Sequence, residues 1–174
     1  MNNKKLKTII LCAVFISLGI ILPFFTGQIR TFGKMLLPMH IPVILCSLIC
    51  GPFYGMLVGF ILPVLRSVLF SMPVMFPNAF AMAFELSTYG FICGFLYSKM
   101  KKKNIFTLYI SLICAMLAGR FIWGIAQVAL LGYGAKGFTL NMFISGAFVE
   151  ALPGIILQLV AIPLLFSVLS KYKD

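Results

Sequence analysis

Four charged side chains stand inside long apolar stretches of this sequence: Arg66, Glu85, Arg120 and Glu150. A charge at membrane depth is costly, so such residues face protein or water and pair with one another. Two arginines and two glutamates can pin helices together, or they can hold a polar molecule between them. Uncharged hydrogen-bonding groups accompany them: Asn78, Gln127, Asn141 and His40, with Arg30 and Lys34 in the polar segment before His40. Trp123 is one helical turn from both Arg120 and Gln127, which sets an aromatic face beside them. The whole set falls at one end, or near the middle, of its apolar stretches, and the opposite end offers only Gln158. Polar groups from several helices converging on one end describe a small-ligand pocket. The candidate binding set is therefore Lys34, His40, Arg66, Asn78, Glu85, Arg120, Trp123, Gln127, Asn141 and Glu150.

Other chemistries lack their residues. There is no phosphate-binding loop, so the chain hydrolyses no ATP of its own. One histidine, and no aspartate in an apolar stretch, leave neither a Ser-His-Asp triad nor a paired-histidine metal motif. The reading is non-enzymatic, with no cofactor and no metal. Its alternatives are a structural subunit whose charges serve only assembly, and an intramembrane enzyme using Glu85 or Glu150 as a base. Cys12, Cys46, Cys50, Cys93 and Cys114 all lie in apolar runs and read as small buried hydrophobes. Cys46 and Cys50 share a helix face, but no nearby histidine or carboxylate completes a metal site.

The elements that must position these residues follow from composition. Of 174 residues, 62% are hydrophobic and 10% charged, and the mean hydropathy is +1.12. Soluble domains are about a quarter charged, so the solvent here is lipid. At about 20 residues per crossing, the chain has room for six spans in one transmembrane domain covering 1–174. We expect helices near 6–25, 35–50, 53–70, 77–98, 105–131 and 140–169, an all-α bundle. The second is the least regular, with Pro38 and Pro42, while Pro153 and Pro163 predict kinks in the sixth. Met1–Pro23 has the basic start and apolar core of a signal peptide but no small-x-small cleavage site, and is read as a retained first helix.

The net charge of +11 is concentrated at Lys4, Lys5 and Lys7, at Lys99 and Lys101 to Lys103, and at Lys171 and Lys173. Six spans bring these three clusters to one side. The positive-inside rule makes that side, with both termini, cytoplasmic in a multi-pass cell-membrane protein. Clusters at helix ends also argue against nucleic acid as the partner. Two small-residue patterns allow close helix approach: Gly51, Gly55 and Gly59 at intervals of four, and Ala13 with Ser17. Both are candidate docking faces for another membrane protein.

One stretch is more specific. It runs from Leu37-Pro-Met-His-Ile-Pro-Val-Ile-Leu through Cys50-Gly-Pro-Phe-Tyr-Gly-Met-Leu-Val-Gly to Met72-Pro-Val-Met-Phe-Pro-Asn and Met82-Ala-Phe-Glu-Leu. With the chain length, the spans and the lysine-tipped first helix, it resembles the substrate-binding S components of energy-coupling factor (ECF) vitamin transporters. The resemblance implies the riboflavin-transporter-like S-component fold. It implies capture of a vitamin or precursor in the outer half by the later helices and outer loops. It also implies association with a membrane coupling subunit and two cytoplasmic ATPases, and toppling of the bundle to release its cargo inside. In that family, alanines spaced by four on the first helix serve docking; Ala13 matches, and Ser17 departs from the pattern. An anionic ligand such as pantothenate would pair with Arg120, Lys34 or Arg66. A neutral, nucleoside-like precursor would use Glu85, Glu150 and Asn78 with aromatic stacking. The positive outer loop tilts the balance towards an anion.

Overall fold

The computed structural model describes residues 3–25, 36–132, 134 and 137–170. Within them the chain is built from helices. α1 is Asn3–Ile21, extended by a tight turn at Leu22–Phe24. α2 is His40–Cys50, α3 Pro52–Phe70, α4 Phe80–Lys99 and α5 Ile105–Leu131. α6 is composite: Leu140–Ile144, a wide turn at Ser145–Val149, then Leu152–Ser170. Five of these helical stretches are long and apolar enough to cross a membrane. Their outward residues, such as Ile10, Phe53, Ile113 and Val160, are exposed hydrophobics suited to lipid.

α2 departs from the expected six equal spans. Leu37 takes a positive φ of 49° ahead of Pro38, a left-handed conformation that a right-handed helix cannot run through. The helix therefore starts only at His40. Pro42 then falls in its first turn, where the missing N–H has no intrahelical acceptor to lose. Its 11 residues span about 16 Å at about 1.5 Å each, roughly half the hydrocarbon thickness. α2 is the centre of the bundle, packed by α1, α3, α4 and α6. Val43, Ile44 and Cys46 have no exposed surface. It still returns the chain across the protein, because its two ends line different cavities.

Gly55 and Gly59 of the glycine run pack inside the protein, the alternative to a docking face for this spacing. A Cβ on Gly55 would lie 2.3 Å from the Ser47 Cβ, and one on Gly59 would lie 2.4 Å from the Leu86 carbonyl oxygen. Gly90 of α4 faces Gly55 in the same way. These glycines let α3 approach α2 and α4 to backbone contact. Gly51 serves a different purpose: it caps α3 with a φ of +107°, which side-chain-bearing residues rarely adopt. Ala13 and Ser17, by contrast, are exposed on α1, and the Ser17 hydroxyl donates back to the Ala13 carbonyl at 2.9 Å.

Candidate ligand site

At the end of the bundle away from the lysine cluster lies a cavity of about 720 Å³. Every described member of the candidate set lines it: His40, Arg66, Asn78, Glu85, Arg120, Trp123, Gln127, Asn141 and Glu150. Lys34, and with it Arg30, falls outside the described residues.

The floor is an ionic cluster. Arg120 Nη1 donates to Glu85 Oε1 at 2.8 Å, and His40 Nε2 lies 3.5 Å from the same oxygen. All three are buried: His40 0%, Glu85 1% and Arg120 4% exposed. α2, α4 and α5 thus meet at one carboxylate. Tyr89 packs below, its ring edge-on to His40 at 4.9 Å between centroids. Its hydroxyl lies beside Arg120 but outside hydrogen-bond geometry. Gly119, one residue before Arg120, is where the helices crowd: a Cβ there would fall 2.3 Å from the Tyr89 ring.

The buried polar atoms are incompletely matched. Arg120 Nε and Nη2, His40 Nδ1 and Gln127 Oε1 have no protein hydrogen-bond partner. Gln127 Nε2 donates to Asn78 Oδ1 at 3.4 Å, joining α5 to the turn before α4. Buried polar groups are satisfied in the great majority of cases, so a cluster of four unmatched atoms around one cavity suits a site completed by a ligand.

Arg66 is held differently. One of its guanidinium nitrogens donates to the Ile20 carbonyl, and its charge lies over the Phe24 and Phe70 rings, 5.2 and 5.6 Å from their centroids. Among the described residues no carboxylate is within ion-pair distance of it. Glu150 and Asn141 are exposed and sit at the rim, where Ser145 donates to Glu150 at 3.5 Å. Trp123 is half-buried, with Phe138 edge-on at 5.5 Å and Phe143 stacked at 6.4 Å.

Sequence reasoning missed the apolar half of the lining. Met39, Met72, Met82 and Met142 all contribute, and methionine shapes itself to irregular ligands. A kink ahead of α4, with Phe76 extended (φ −117°, ψ 131°) and Asn78 just after it, and a wide helical turn at Ser145–Val149, with Ser145 and Gly146, also border the cavity. Wide turns such as the one at Ser145–Val149 recur at functional sites. The signal available beforehand was Pro77 beside Asn78 and the Ser145-Gly146 pair, both poor helix formers.

A family model described as ECF transporter, substrate-specific component, matches residues 7–166. Comparison with curated proteins and with solved structures finds no match.

Proposed function

The chain belongs to the substrate-specific components of ECF transporters, and from that premise we propose that its cavity captures a vitamin or vitamin precursor for import. The family works with a module of ATPases and a coupling subunit, so this chain supplies binding and not the motor. The observation carrying the reading is the convergence of nine polar or aromatic residues, marked by their types alone, on one cavity of about 720 Å³. Small-molecule pockets measure about 300–1,000 Å³ and combine an apolar lining with a few placed polar groups. On this reading the cavity opens outward and both termini are cytoplasmic, as the lysine clusters indicate. Ala13 and Ser17 form the docking face.

The cargo we favour is an anion of pantothenate-like character. Arg120 keeps Nε and Nη2 without a partner, and those two N–H groups form a fork that matches a carboxylate. Arg66 brings a second cation with no carboxylate against it among the described residues. Met39, Met82 and Trp123 would cover the ligand's apolar body. The most informative test is mass spectrometry of ligand carried through purification, followed by titration of candidate vitamins. Arg66→Gln is expected to weaken an anionic ligand by at least about tenfold, the loss of roughly 1.4 kcal/mol, while leaving any neutral ligand unaffected. Equal affinity in wild type and variant would remove Arg66 from the site.

Trp123 is the only tryptophan in the chain and lines the cavity. Ligand addition should therefore shift or quench its emission saturably, and the Trp123→Phe variant should give no signal. Calorimetric binding without any change in wild-type emission would place the ligand away from Trp123.

A further inference from the structure

Three thiols meet between α1 and α2. Cys46 and Cys50 are one turn apart and share a face of α2, and Cys12 reaches them from α1. The Cys12 and Cys46 sulfurs are 3.8 Å apart, and all three Sγ atoms lie within 4.8 Å of one another. Cys46 is fully buried, while Cys12 and Cys50 are half-buried. Cys50 also lines a second cavity, of about 700 Å³, at the opposite end from the ligand cavity. Lys103 and Asn104 border that cavity too, which gives the cluster a path to the lysine-bearing end.

We propose that Cys12, Cys46 and Cys50 form a binding site for a soft monovalent cation, Cu(I). The donor chemistry selects it: an all-sulfur site favours soft ions such as Cu(I) over hard ones. Spacing agrees, since a metal–sulfur bond of about 2.3 Å in a trigonal arrangement sets the sulfurs about 4 Å apart. Zinc would want a fourth ligand, and among the described residues the group contains these three alone. Cu(I) with three thiols gives a complex of two thiolates and one thiol with a net charge of −1, releasing two protons. The retained thiol proton keeps the charge small in a setting where charge is penalised. A bound ion would also tie α1 to α2 across their interface.

The test uses full-length protein in detergent, anaerobic and with a non-thiol reductant, titrated against the Cu(I) complex of a chromogenic chelator. The chain should withdraw one equivalent of Cu(I). Cys12→Ser and Cys50→Ala should each weaken withdrawal by at least about tenfold, the loss of one soft ligand. Cys114→Ser, a change at an exposed position on α5, should leave it unchanged. Cu(I) loading should also protect the half-buried Cys12 and Cys50 from alkylation while Cys114 still reacts, read by peptide mapping on the unmutated chain so that no variant need fold. The proposal is overturned by absence of withdrawal, by withdrawal that survives loss of Cys12 and of Cys50, or by alkylation of Cys12 and Cys50 unchanged after loading. Formation of a Cys12–Cys46 disulfide in air, without Cu(I) uptake by the reduced chain, would overturn it too.

Discussion

Replacing Glu85 by leucine is expected to cost the protein several kcal/mol of stability and all measurable ligand binding. The substitution strands Arg120, which is 4% exposed and has Glu85 as its ion-pair partner at 2.8 Å. Removing one partner of a buried pair typically costs about 3–5 kcal/mol, because the survivor is left charged and uncompensated. His40 also loses the carboxylate 3.5 Å from its ring nitrogen. Replacing both members by apolar groups of similar size is often neutral or stabilising. The double variant Glu85→Leu/Arg120→Met should therefore regain most of the lost thermal stability in detergent. It should not regain binding, since both side chains line the cavity. Melting curves and Trp123 emission on the same samples separate the two effects. If the double variant binds cargo as tightly as wild type, the pair is a structural staple and the cavity has been misread.

The same cluster marks what was legible in the sequence. Arg66, Glu85, Arg120 and Glu150 stand out because lipid tolerates no unpartnered charge, so four such residues in apolar runs must be accounted for. Their pairing was not legible. Arg120 takes Glu85, while Arg66 rests on a backbone carbonyl and two phenylalanine rings. Nothing in residue type distinguishes these fates, because each depends on which helix ends meet. Met39, Met72, Met82 and Met142 were invisible for a related reason: a methionine facing lipid and one facing a cavity look alike in a hydropathy profile. α2 was recognised as helical, yet its apolar run would read the same on a lipid-facing span and in a bundle core. The positive φ at Leu37 shortens it, and burial by four neighbours explains its composition. The thiol cluster joins Cys12 to a residue 34 positions away, a contact beyond any local pattern.

The two small-residue stripes, alike in spacing, should respond in opposite ways to a bulky substitution. Spacing by four says that a helix permits close approach, but not which backbone approaches. At Gly59 the neighbour is internal: a Cβ would lie 2.4 Å from the Leu86 carbonyl oxygen and 2.8 Å from the Ser87 nitrogen. Both are backbone atoms of α4, which cannot turn aside as a side chain can. Gly59→Leu must push α3 and α4 apart, a case of overpacking that costs about 1–3 kcal/mol or more. Glu85 lies on the displaced helix, so ligand binding should fall together with stability. Ala13 is exposed on α1, and a tryptophan there has room to lie against lipid. Ala13→Trp should keep the wild-type melting temperature and cargo affinity but abolish uptake by cells that supply the coupling subunit and ATPases. The comparison is informative because each variant controls for the other. Loss of binding in Ala13→Trp would show that α1 supports the fold at that position, and normal uptake would remove Ala13 from the docking face. A stable, binding-competent Gly59→Leu would mean that α3 and α4 do not meet as closely as their glycines imply.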